Sequence, residues 1–142
     1  ETEDFMLRIG EMTSHITLSW IYTKTSKYSG TDILKALIKY CQENGFKSIA
    51  GYGIKGHDSV IIDGKRKSIV TNGYYSLMRW GFIPDKGVKF INKTLKTNYS
   101  TLEDAFSDKE FWTKWKEDGK EYTGEFEVSS NSLSFRVLDK QV

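Results

Sequence analysis

Residues 16–52 read ITLSWIYTKTSKYSGTDILKALIKYCQENGFKSIAGY, and the order of elements in this stretch decides the fold. Ile16 to Tyr22 alternates large apolar with hydroxyl residues and is rich in β-formers, which predicts a strand. The polar run Thr25-Ser-Lys-Tyr-Ser-Gly-Thr31 follows as a loop. From there Ile33, Leu34, Leu37, Ile38 and Cys41 fall on one helical face, with Lys35, Lys39, Gln42 and Glu43 on the other. Gly30 or Thr31 suits the N-cap and Gly45 the stop. Phe46 to Tyr52 returns as a strand. A strand–helix–strand crossover places its two strands parallel in one sheet.

Working outward, Phe5 to Ile9 reads as a strand joined to the first through a turn at Gly10, Thr13 and Ser14. Downstream, residues 58–71 read as a hairpin with Asp63-Gly64 at its tip. Asn72 to Trp80 reads as a helix closed by Gly81, and Lys89 to Leu95 as a strand. Residues 101–117 have helical spacing through Leu102, Ala105, Phe106, Trp112 and Trp115. Glu121 to Val128 and Ser132 to Leu138 read as strands about an Asn131 turn. The expected architecture is therefore α+β with a mixed sheet: a core over residues 1–99 and a C-terminal helix plus β-hairpin extension over residues 100–142 packed on it.

Composition narrows the classes. The chain has 142 residues with eight Phe, eight Tyr and four Trp, enough large apolar surface for a packed core and too much for a disordered chain. One cysteine excludes an internal disulfide framework or a multi-cysteine zinc site, and fits a cytoplasmic, reducing setting. No apolar run reaches membrane-spanning length, and no charged-then-apolar leader opens the chain. The net charge of +2 is unevenly spread: residues 63–96 carry +6 and residues 97–128 carry −5. That asymmetry predicts either mutual docking of the two segments or an anionic ligand near the middle.

The loop that opens into the 33–41 helix aims unpaired backbone N–H groups and the positive end of the helix dipole at one point, the chemistry that holds a phosphate. Lys27 adds a full charge. Later, the short helix Tyr74-Tyr-Ser-Leu-Met-Arg-Trp80 closes on Gly81-Phe82-Ile83-Pro84. This succession resembles the GCN5-related N-acetyltransferase (GNAT) superfamily across roughly residues 5–97. There a strand precedes a pyrophosphate loop of pattern R/Q-x-x-G-x-G/A, a helix and strand follow, and a later helix ends in Gly-Phe.

The resemblance implies an acyl-CoA N-acyltransferase core, shortened at its N-terminus, that moves an acetyl group from acetyl-CoA to a primary amine. Coenzyme A would enter where the strand through Trp20 to Thr23 splays from its parallel neighbour, against Ile21, Tyr22 and Thr23. Lys27, Tyr28, Ser29, Gly30, Thr31 and Asp32 would meet the pyrophosphate, Gly30 because a Cβ would occupy ligand space, with Asn72 also on the cofactor. Tyr74 or Tyr75 would protonate the leaving thiolate, and Glu11, near the start of a strand that lacks Asp and Glu, would act as base. No residues suggest a metal.

Three positions depart from the family pattern: Asp32 in place of Gly or Ala, Leu77 in place of Tyr, and a first strand without a carboxylate. They support an alternative, a catalytically silent GNAT-like binding or structural module of viral or phage type. A nucleic-acid-modifying protein using Lys65, Arg66 and Lys67 is a lesser alternative, opposed by the acidic tail. The remaining expectations are an amine-bearing acceptor of unknown size, no membrane partner, and a Trp-bearing tail helix that packs either on its own sheet or on a second copy in a homodimer. His15, His57 and Cys41 carry no motif of their own.

Overall fold

The computed structural model describes residues 5–11, 15–23 and 30–141, of which strands 5–11 and 15–23 and parts of the 55–72 hairpin are described as backbone. In chain order the elements are β1 (Phe5–Glu11), β2 (His15–Thr23), α1 (Gly30–Glu43), β3 (Ser48–Gly53), β4 (Lys55–Ile62), β5 (Lys65–Asn72) and α2 (Gly73–Arg79). Then follow β6 (Ile83–Pro84), α3 (Val88–Leu95), α4 (Leu102–Ser107), α5 (Lys109–Asp118), β7 (Tyr122–Glu127) and α6 (Leu133–Gln141). The class is mixed helix and strand, α+β.

The main sheet has the order β1-β2-β3-β7-β6. β2 and β3 are parallel, as the crossover through α1 requires, and the other neighbours are antiparallel. α1 buries Ile33, Leu34, Leu37, Ile38 and Cys41, the stripe read from its spacing. It ends in a Schellman-type turn: Gly45 adopts φ 78° and the Phe46 N–H donates to the Cys41 carbonyl at 3.0 Å.

One face of the sheet carries the core. Along β7, Tyr122, Gly124 and Phe126 are buried while Thr123, Glu125 and Glu127 are exposed. Their register partners Gly53, Gly51 and Ile49 on β3 are buried with them. Side chains from all six helices join this one cluster, including Leu37 of α1, Met78 of α2, Ile91 of α3, Phe106 of α4, Trp115 of α5 and Leu138 of α6. The opposite side of β7, with Thr123, Glu125 and Glu127, is exposed.

Gly81 shows why the Gly-Phe pair is needed here. It sits at φ 91°, and a Cβ would lie 2.2 Å from the Ser134 carbonyl oxygen, so only glycine lets α6 approach the end of α2. Phe82 is then fully buried against Phe126.

Three expectations need correction. Residues 89–95 are helix α3 and not a strand: Val88, Ile91 and Leu95 share a helical face. The segment is bounded by Gly87 at φ 63° and by left-handed Lys96, whose N–H donates to the Asn92 carbonyl. Residues 101–117 form two helices, broken at Asp108, whose carboxylate accepts the Glu110 N–H and so starts α5. Residues 132–138 are helical, so the expected tail hairpin is not formed. Ser132 caps α6 by accepting the Phe135 N–H, and the buried set Ser134, Val137 and Leu138 follows helical spacing. β7 pairs with β3 and β6 inside the sheet. The predicted hairpin at Asp63-Gly64 is present, both turn residues having positive φ.

Candidate site at the parting of two parallel strands

β2 and β3 share a ladder only from His15–Ser48 to Leu18–Gly51. Beyond it β2 continues to Thr23 paired with β1, and β3 continues through Tyr52 and Gly53 paired with β7. Each strand keeps its outer partner and loses the inner one. The result is a parting between two backbone edges, with Ile21, Tyr22 and Thr23 along one of them. An extended amide-bearing arm is the ligand shape that such edges can hydrogen-bond.

α1 starts at Gly30, so Gly30, Thr31 and Asp32 form its first turn. Lys27, Tyr28 and Ser29 lie outside the described residues. A Cβ at position 30 would come within 2.9 Å of the Trp80 indole, so packing also favours glycine there. Asp32 is exposed in the first turn, where its charge suits the helix dipole and opposes an incoming anion.

Tyr74 is buried at 5% exposure, and its hydroxyl donates to the Lys116 carbonyl at the end of α5. The Trp115 indole N–H donates back to the Tyr74 carbonyl at 2.9 Å. Tyr75 is half-buried beneath two cations, with Arg79 5.5 Å and Lys116 5.7 Å from its ring centre. Its hydroxyl has no hydrogen-bond partner among the described residues. Glu11 ends β1 opposite Ile16, and Asn72 ends β5 opposite Lys55; their side chains lie outside the described residues, as do those of His15 and His57.

The structure also brings together residues that the sequence did not single out. Tyr52 is the first β3 residue past the last β2 pair and is 50% exposed. Its hydroxyl donates to Glu121 Oε2 at 2.8 Å, and the Lys55 N–H donates to Glu121 Oε1 at 3.3 Å. The Lys55 ammonium donates to the Gly119 carbonyl at 2.8 Å and lies 5.0 Å from the Tyr74 ring centre. The bond to Glu121 holds the Tyr52 phenol above its ordinary pKa, with burial and the carboxylate charge adding to it. Tyr52 and Glu121 are 69 positions apart, and no local pattern links them. An alternating strand end facing an acidic loop was the only available signal.

Comparison with protein-family models, curated proteins and solved structures found no match. Among the described residues no helix is long and apolar enough to cross a membrane.

Proposed function

We propose that this chain is an acyl-CoA-dependent N-acyltransferase of GNAT-like fold that moves an acetyl group from acetyl-CoA to a primary amine. The observation that supports it best is the parting of β2 and β3 past Leu18 and Gly51, with α1 the next described element after β2. In this reading the free edges of Ile21, Tyr22 and Thr23 bind the amide-bearing arm, and the N–H groups at the start of α1 meet the pyrophosphate.

The amine nitrogen attacks the thioester carbonyl, the C–S bond breaks, and the sulfur leaves as a thiolate that takes up a proton. A primary amine is protonated at neutral pH, so a base must first remove a proton. Glu121, held in place by Tyr52 and the Lys55 amide, is the carboxylate for that role, whereas Glu11 pairs with Ile16 at the other end of β2. Tyr75, whose hydroxyl has no hydrogen-bond partner among the described residues, is the proton donor for the thiolate. Alignment of amine and thioester in the gap supplies most of the acceleration.

A second reading is the catalytically silent binding module. The engaged Tyr74 hydroxyl and the exposed Asp32 carboxylate at the anion end of α1 favour it.

Calorimetric titration with acetyl-CoA tests the first reading, with binding expected well below about 1 mM. The absence of heat at that concentration overturns both cofactor and activity. Binding without thiol release, across a panel of amines, selects the silent module.

A further inference from the structure

The chain carries two exposed surfaces of opposite charge that do not cover each other. The first is the solvent side of the sheet. On it Thr123, Glu125 and Glu127 of β7 are exposed beside Tyr52 of β3, with Asp85 at the β6 edge. Glu125, Glu127 and Asp85 border a cavity of about 520 Å³, with Lys47 as its cation and Leu133 and Ser134 of α6 also lining it.

The second surface is the β4–β5 hairpin, a two-stranded sheet separate from the main one. At its tip Lys65, Arg66 and Lys67 are all exposed, against one carboxylate, Asp63. Next to the turn Ile61 is 64% exposed, an unusual place for a large β-branched side chain. Two-stranded hairpins are marginally stable on their own and leave both edges open, so this arm gains most by lying against another surface.

We propose that two copies of this chain form a two-fold dimer in which the β4–β5 arm of each lies across the acidic β7 sheet face of the other. Lys65, Arg66 and Lys67 meet Glu125, Glu127 and Asp85 of the second copy, and Ile61 is covered in the contact. The two-fold relation makes each arm–face contact twice, so both surfaces of both copies are satisfied in a closed assembly. Charge complementarity within one sequence selects a second copy as the occupant of the face.

Sedimentation velocity over a concentration series tests this. The wild-type chain is expected to dimerise, with a dissociation constant that rises at least about tenfold between about 50 mM and about 500 mM salt. A triple variant Lys65→Glu, Arg66→Glu, Lys67→Glu and a double variant Glu125→Lys, Glu127→Lys should each be monomeric and retain the wild-type far-ultraviolet spectrum, since all five positions are exposed. Mixing these two variants should restore a heterodimer, because the reversed arm then meets the reversed face and the wild-type arm meets the wild-type face. A wild-type monomer at every concentration, a dimer indifferent to the swaps, or a mixture that stays monomeric overturns the proposal. A monomeric wild type that binds a lysine-rich peptide through Glu125 and Glu127 also overturns it and gives the face to another basic protein.

Discussion

Tyr74→Phe separates a structural hydroxyl from a catalytic one. Tyr74 lies on α2, and its hydroxyl donates to the Lys116 carbonyl in the last turn of α5. The last carbonyls of a helix have no intrahelical partner, so the phenol acts as a cap supplied from a distant element. Removing it forfeits one hydrogen bond, about 1 kcal/mol net, and leaves a small gap with a partly shielded carbonyl, which brings the cost to about 1.5 kcal/mol. The ring itself remains packed on Trp115 and under Lys55, so the hydrophobic contribution is retained. For 142 residues the unfolding entropy is about 0.3 kcal/mol per kelvin, and Tm should fall by about 5 °C. Differential scanning calorimetry reads that shift, and thiol release from acetyl-CoA reads turnover. Expected is a lowered Tm with kcat within about twofold of wild type. A kcat reduced about a hundredfold with Tm unmoved would place the hydroxyl in the chemistry and refute the capping argument.

Two further predictions follow from the packing and the titrating groups. Gly81→Ala should destabilise by about 3 kcal/mol, because it combines a strained positive φ with a clash against the backbone of α6; a urea midpoint equal to wild type would refute the close approach. At alkaline pH, Tyr99 is pushed up to about 12, chiefly by burial and then by its bond to Asp108, and burial carries Tyr122 well above 10.0. The folded chain therefore keeps protons that the unfolded chain loses, and stability falls as pH rises from 10.0 toward about 12. Urea melts of wild type and Tyr99→Phe across that window should show a shallower loss in the variant; parallel curves would count against it.

The parts of the fold legible in the sequence were those set by local chemistry. α1 announced itself through an unbroken apolar stripe and a glycine stop. The Asp63-Gly64 turn was legible because few residue pairs accept two successive positive φ angles. α3 and α6 were read as strands for one shared reason. In seven residues such as Leu133 to Asp139, apolar spacings of two and of three to four coexist, and only the surface available for packing chooses between them. For α6 that surface includes Phe126, packed on Phe135, and for α3 it includes Trp115 and Tyr122, packed on Phe90; none of the three belongs to the helix it supports. Trp115, noted only as an apolar helix position, proves to be a hub that contacts Tyr74, Phe90, Phe111 and Tyr122.

The candidate site divides along the same line. By itself the sequence determined a β2–α1–β3 unit, its parallel pairing and the glycine at the start of α1, since a crossover leaves few topologies. Only the tertiary structure decided where the two strands part, because past Leu18 and Gly51 β2 keeps only β1 and β3 keeps only the distant β7. It also decided that Gly30 answers to Trp80, that the Tyr74 hydroxyl caps α5, and that Tyr52 and Glu121 meet at the rim. These are contacts between distant segments, and long-range packing, unlike helix periodicity or turn chemistry, leaves no local signature in the chain.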